Sequence, residues 1–258
     1  MRLCRFCPKT AGANLARFCG IIEGDRVFEI ASPFEPQRKL GKSWPLSEIR
    51  LLAPSEPSKI VCVGRNYAAH AAELGNDVPK EPLIFLKPPS AILAPEEPII
   101  LTPYSHRVDH EGELAVIIGR RCSHLGDAGS VWPYILGYTC LNDVTARDLQ
   151  KKDVQYTRAK GFDTFCPFGP WIETDLDLSR ARVEALVNGQ KRQSAAVSEM
   201  IFPVETIVRW ISQMMTLEPG DVIATGTPSG IGPLAAGDVV EVSIEGIGTL
   251  RNPVAKPH

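Results

Sequence analysis

The hydrophobic positions of the chain fall into short runs broken by glycine, proline and acidic residues. RLCRFC alternates as a strand does, and FCGIIEGDRVFEI places two apolar runs around Glu23-Gly24-Asp25, which predicts a hairpin. LAVIIG (114–119) is apolar throughout and predicts a strand buried on both faces. Helical spacing is confined to three segments. AAHAAEL (68–74) is short and Ala-rich, and DVTARDLQKK (143–152) has helical composition. VETIVRWISQMM is apolar at 204, 207, 208, 211 and 214 or 215, with Pro203 where a first-turn proline is tolerated. Gly220-Asp221 and Gly237-Asp238 each launch a strand. No βαβ cadence recurs, so a doubly wound parallel sheet is not expected. The pattern predicts an α+β, mainly β fold with a few helices packed outside. SPFEPQRKLGKSWPLSEIRLLAPSEPSK, rich in Pro and Ser, reads as a connector. Residues 1–55 are thus expected to form a small N-terminal β unit with its connector, and 56–258 the main domain.

Composition narrows the classes. Of 258 residues, 44% are apolar and 22% charged, as in an ordinary globular protein. Lys and Arg number 28 against 30 Asp and Glu, and no basic stripe points to nucleic acid. The longest apolar runs are too short to span a bilayer. The N-terminus, MRLCRFCPKTAGANLARF, lacks both the apolar core of a secretory signal and the Ser-rich pattern of a transit peptide. It fits a first strand followed by a polar turn, in a cytoplasmic protein. The 7 cysteines are scattered. Cys4-x-x-Cys7 has no second pair or nearby His at zinc-finger spacing, and a redox pair usually opens a helix. Free thiols are expected.

The segment DHEGELAVIIG (109–119) carries the first chemical signal. Glu111 and Glu113 point the same way in an extended chain, at the mouth of a buried strand. Two carboxylates there repel each other and resist dehydration. An exposed strand end would tolerate them, but the following residues are too apolar for one. Asp143 follows the apolar stretch YTCL at a strand-to-helix junction. A divalent cation would turn the repulsion among Glu111, Glu113 and Asp143 into shared attraction, and oxygen-only ligands favour Mg²⁺, Mn²⁺ or Ca²⁺ over zinc. If 143–152 is helical, Asp143, Arg147 and Gln150 share a face. That row would serve either a bound molecule or a solvated intrahelical ion pair, and the spacing does not choose.

Two further segments fit a site. In GRNYAAHAAELG, a helix brings His70 and Glu73 together, and an imidazole paired with a carboxylate is a general base. IATGTPSGIGP (223–233) lacks the Lys-Ser/Thr of a P-loop, but its backbone N–H groups and the Thr227 hydroxyl suit a carboxylate.

Ordered blocks extend these isolated signals. VGRNYAAHAAELG, PLIFLKPPSA, HEGELAVIIGRRC, GYTCLNDVTARDLQ, RAKGFDTFCPFGPW, VNGQKRQ, MIF and ATGTPSGIGP resemble, in this order, the fumarylacetoacetate hydrolase family. The similarity runs from about residue 58 to about residue 250. It implies a mixed β-sandwich roll, a homodimer and one divalent metal per subunit, held by Glu111, Glu113 and Asp143. It further implies a lid-borne His70–Glu73 dyad and Lys160, from RAKGF, beside the reacting carbon. Arg65, Tyr67, Arg147, Gln150, Gly226 and Thr227 are the implied substrate contacts. KIVCVGRNY lacks the extra acid that some members place before the lid, which favours the smaller-substrate branch. The expected substrates are small 2-oxo or 2-enol acids that chelate Mg²⁺ or Mn²⁺ and react through an enolate. Isomerisation of 2-hydroxyhepta-2,4-diene-1,7-dioate leads. Acylpyruvate hydrolysis and oxaloacetate decarboxylation are the alternatives, and a non-catalytic metal-binding module is the different class. Phosphoryl transfer would want a basic cradle, which 226–232 lacks.

Overall fold

The computed structural model describes residues 1–9 and 16–257. Strand Gly112–Ile118 lies within a 12-stranded sheet, and all of its residues are buried. Leu114, Val116 and Ile118 face helix Val204–Met214 and a second, five-stranded sheet, while Ala115 and Ile117 pack with Ile60, Cys62, Phe168 and Ala224 on the other side. Its apolar run therefore reflects two cores rather than one. Each fully buried aliphatic side chain contributes roughly 1.5–3 kcal/mol by leaving water.

Strand Ile135–Asn142 pairs with Gly112–Ile118 antiparallel, Gly112 opposite Asn142, and Val222–Ala224 pairs on the other side. The sheet continues through Cys166–Glu173 to Arg2–Pro8 and the N-terminal strands in one direction. In the other it runs through Ile60–Gly64 to the edge strand Leu83–Lys87. The five-stranded sheet comprises Gln190–Ala196, Arg182–Val187, Val239–Ile244, Gly248–Ala255 and Ile99–Ile100. The architecture is mainly β with a few helices, as the pattern predicted.

The local elements follow their sequence signals with informative exceptions. The hairpin forms between Phe18–Glu23 and Arg26–Ile30, with Gly24 left-handed at φ 61°. The polar turn expected after the first strand falls on 10–15, outside the described residues. The connector-like stretch contributes strands Lys39–Pro45 and Ile49–Leu52, because Trp44 packs on Phe6 and Phe18 although its neighbours are polar. Helix Val204–Met214 buries Val204, Ile207, Val208 and Ile211; Met215 rather than Met214 continues the packing, since the chain turns extended there.

The helix expected over 143–152 is a correction. Only Arg147–Lys152 is helical, because Thr145 and Ala146 pair in extended form with Asp109 and Val108. Asp143, Arg147 and Gln150 are therefore not one helical row. All seven cysteines are free. Cys4 and Cys7 lie on one strand three residues apart, so they point to opposite faces. No helix among the described residues is long and apolar enough to cross a membrane.

Candidate active site

Two paired strands leave the large sheet together. Gly112 pairs with Asn142 inside it, while Asp109 pairs with Thr145 in a separate three-stranded sheet. Glu111 and Asp143 sit at the crossover, joined by a hydrogen bond from the Asp143 N–H to the Glu111 carbonyl (2.8 Å). The Asn142 side-chain oxygen accepts from the Glu111 N–H (2.9 Å) and fixes the bend. Carboxylate oxygens of Glu111, Glu113 and Asp143 lie within 4.8 Å of one another, all buried.

Four buried carboxylates share this region, Asp109 being the fourth, against three buried cations. Lys160 closes the short helix Thr157–Lys160 and donates to Glu111 Oε2 (2.7 Å) and Asp143 Oδ2 (2.6 Å). Lys87 donates to Asp143 Oδ1 (2.6 Å) and the Val144 carbonyl (3.2 Å). Arg147 Nε donates to Asp109 Oδ2 (2.9 Å), Nη1 to Gln150 Oε1 (2.6 Å) and Nη2 to Glu111 Oε1. Among the described residues Glu113 pairs with no cation; its carboxylate accepts the Gly226 N–H at 2.8 Å.

The titration directions follow from this accounting. Burial pushes Glu113 well above the usual carboxylate range, and the charges of Asp143 and Glu111 push the same way. Burial also opposes ionisation of Glu111, but Lys160 and Arg147 outweigh it and hold that carboxyl far below its usual value. For Lys160, burial is outweighed by Asp143 and Glu111, which keep it protonated. Arg107 also donates to Asp109 Oδ1 (2.9 Å), so among the described residues Glu113 is the one acid of this cluster without a cation of its own. Three converging carboxylates with no nitrogen or sulfur donor fit a hard divalent cation such as Mg²⁺ or Mn²⁺.

The carboxylates open onto a cavity of about 250 Å³ also lined by Arg65, His70, Arg147, Gln150, Lys160 and Thr227. His70 rides on helix Ala68–Glu73, where its Nδ1 meets Glu73 Oε2 at 3.1 Å. Glu73 Oε1 accepts the Gly230 N–H (3.0 Å), which ties the helix to the 226–230 turn. Arg65 adopts φ 55°, and its Nε is buried without a hydrogen-bond partner. Among the described residues no carboxylate pairs with its guanidinium. Thr227 donates its hydroxyl to the Gly112 carbonyl at 2.9 Å. Glu73 and Gly226 support the wall from behind through His70 and Glu113. Tyr67 stands in the apolar core beside Leu114 and Val63, its hydroxyl buried and unpartnered.

Sequence reasoning passed over Lys87, Asp109 and Gln193. Lys87 ends the apolar run LIFLK and is itself buried although the rest of this edge strand is half-buried or exposed, so a charge closing an apolar run was the signal that could have found it. Asp109 stood in the same motif as Glu111 and Glu113, but its bond to Arg147 joins a strand to a helix 38 residues further along the chain. Gln193, in a polar hairpin strand, gave no signal of its complete burial.

Comparison with known proteins agrees with this geometry. The fumarylacetoacetate (FAA) hydrolase C-terminal model matches residues 59–255, and an Rv2993c-like N-terminal model matches residues 1–54. Oxaloacetate tautomerase YisK of Bacillus subtilis is 39% identical, the match covering 91% of this chain and 84% of that protein. The structure of 5-carboxymethyl-2-hydroxymuconate delta-isomerase from Mycobacterium smegmatis is 48% identical at TM-score 0.90, covering 100% of both chains. Maleylpyruvate hydrolase from Sphingobium sp., solved with manganese(II) and pyruvate, is 30% identical at TM-score 0.80, again covering 100% of both. The match over 59–255, together with these relatives, establishes that the chain belongs to the fumarylacetoacetate hydrolase family of enzymes.

Proposed function

We propose that this protein is a divalent-metal-dependent enzyme that moves a proton along a small 2-oxo or 2-enol dicarboxylate, as an isomerase or tautomerase. The observation that carries the reading is the His70–Glu73 pair, its imidazole buried on the wall of the cavity into which Glu111, Glu113 and Asp143 converge. Glu111, Glu113 and Asp143 would hold Mg²⁺ or Mn²⁺, whose Lewis acidity polarises the carboxylate and keto oxygens of the substrate. The isomerase and tautomerase relatives support proton transfer, and the manganese- and pyruvate-bound relative supports the metal and the oxo-acid class.

The chain's own groups then divide the work. Glu73 accepts from His70 Nδ1–H, which leaves Nε2 as the base that takes the proton next to the carbonyl and returns it further along the conjugated system. Such a base contributes about 10²–10⁴-fold. Lys160 is held protonated by two carboxylates and sets positive charge beside the oxygen on which negative charge builds. Arg147 is engaged by Asp109, Glu111 and Gln150; Arg65, which like Lys151 lines the cavity without a carboxylate partner among the described residues, has the planar fork to grip a substrate carboxylate at both oxygens. A substrate that fills the cavity His70 lines would displace water from the base, which favours proton return over hydrolysis.

Oxaloacetate, acylpyruvates and 2-hydroxyhepta-2,4-diene-1,7-dioate, each assayed with Mg²⁺ and with EDTA, test the proposal. Metal-dependent tautomerisation or isomerisation of a dicarboxylate is expected. Turnover that survives EDTA, or pyruvate release from acylpyruvates alone, overturns it.

A further inference from the structure

Gln193 lies outside the cavity wall, yet it is completely buried and every hydrogen-bonding position of its amide is occupied. Oε1 accepts the Gly112 N–H (2.9 Å) and meets His110 Nδ1 (3.1 Å). Nε2 donates to Thr227 Oγ1 (2.7 Å) and to the Pro228 carbonyl (2.7 Å). Because a carbonyl can only accept, the amide orientation is determined, and His110 must carry its proton on Nδ1.

The partners are informative. Gly112 is the residue between Glu111 and Glu113, and a Cβ there would lie 3.4 Å from Gln193 Oε1. Thr227 and Pro228 belong to the turn whose Gly226 N–H caps Glu113 and whose Gly230 N–H holds Glu73. That turn is seated on the Gln193 strand itself. Gly230 has φ 100°, and a Cβ on it would lie 2.0 Å from the Arg192 carbonyl oxygen. One amide therefore joins the backbone that aims two acids of the triad to the turn that anchors the base.

We propose that Gln193 is a positioning residue of this active site, fixing the spacing between the acid triad and the His70–Glu73 pair. The inference rests on the roles proposed above for those groups. A buried amide with all four positions satisfied specifies one arrangement, because any shift leaves a donor or acceptor unpaired at a cost.

Two variants separate its two ends. Gln193→Met keeps the volume and loses all four contacts; Gln193→Glu keeps an acceptor for Gly112 and loses the amide donor to Thr227 and Pro228. In Gln193→Met, Mn²⁺ affinity measured by calorimetry falls about 10–100-fold, the range for partners behind metal ligands, and kcat falls more than KM changes. Gln193→Glu keeps Mn²⁺ affinity near wild type while kcat drops. Hydrogen exchange accelerates in both over 225–231 and 68–74, with 239–255 unchanged. Unaltered exchange at 225–231 and 68–74 overturns the proposal, and so does uniform acceleration over the whole chain. If Gln193→Met does not fold, the exchange pattern of Gln193→Glu decides. Exchange and Mn²⁺ binding need no substrate, so a wild-type enzyme inert toward every 2-oxo acid would overturn the proposed function and leave these readouts to decide on Gln193.

Discussion

Replacing Glu113 by Gln removes one ionisable group from a buried cluster while keeping the side-chain volume and an oxygen for the Gly226 N–H. The candidate ligand oxygens of Glu111 and Asp143 lie within 4.8 Å of that of Glu113. At an effective dielectric of about 20, each such like-charge pair costs at least about 3.5 kcal/mol before the attraction of Lys160 is counted. Without a metal, wild-type protein escapes this cost by protonating Glu113, whose pKa burial and the two neighbouring carboxylates raise above its ordinary value of 4.5. A carboxyl raised in this way contributes stability that is fully present below the unfolded pKa and is lost as pH rises through the folded one. The glutamine escapes that loss. In EDTA at about pH 8, Glu113→Gln should therefore be more stable than wild type by ~1–3 kcal/mol, the part of the repulsion that Lys160 leaves uncompensated. The melting temperature should rise by about 2–4 °C per kcal/mol, and the gap should close near pH 4. Saturating Mg²⁺ should narrow that gap, because a ligand at about 100 times its Kd adds about 2.7 kcal/mol to wild type and less to a variant with a weakened donor set. Scanning calorimetry across this pH range, with EDTA and with Mg²⁺, reads both effects. A variant less stable than wild type in EDTA at about pH 8, or equally stabilised by Mg²⁺, would refute the charge accounting at Glu113.

His70→Gln should lower turnover about 10²–10⁴-fold while Mn²⁺ titration stays at the wild-type curve; unchanged turnover removes the base from the mechanism. Arg65→Met should raise KM for dicarboxylates and leave metal affinity alone. Arg147→Met leaves Glu111 with Lys160 alone and Asp109 with Arg107 alone, so it should weaken metal binding and cost about 1.5–3 kcal/mol in urea denaturation; the opposite pattern in kinetics and titration would exchange the two roles. Asp221 is wholly buried and accepts from the Ser58 N–H (3.0 Å), the Ser58 hydroxyl (2.7 Å), the Lys59 N–H (3.2 Å), the Glu218 N–H (2.8 Å) and the Lys59 ammonium. Asp221→Ala should destabilise the fold by about 3–5 kcal/mol, and urea midpoints matching wild type would contradict the count of orphaned donors.

Much of this molecule was legible without coordinates because the relevant signals are local. A buried strand needs apolar residues on both faces, so LAVIIG announced itself, and carboxylates at its mouth were an anomaly that only chemistry explains. The helix Val204–Met214 followed from its spacing for the same reason. The segment 143–152 was misread because its helical composition competes with strand pairing to Val108 and Asp109, and a partner strand is invisible to local propensity.

The sequence by itself determined the buried strand at 112–118, the N-terminal hairpin, the principal helix and the acids at 111, 113 and 143, since each depends on periodicity or on residues within one or two turns of chain. Only the tertiary structure decided which charges are matched. Lys87 reaches Asp143 across 56 residues, Arg147 reaches Asp109 across 38, and the Gly226 N–H reaches Glu113 across 113. Electrostatic balance depends on distances through space in a medium of low polarisability, and no pattern along the chain encodes those distances. For that reason the unmatched acid at Glu113 and the fully bonded amide of Gln193 emerged only from the folded chain.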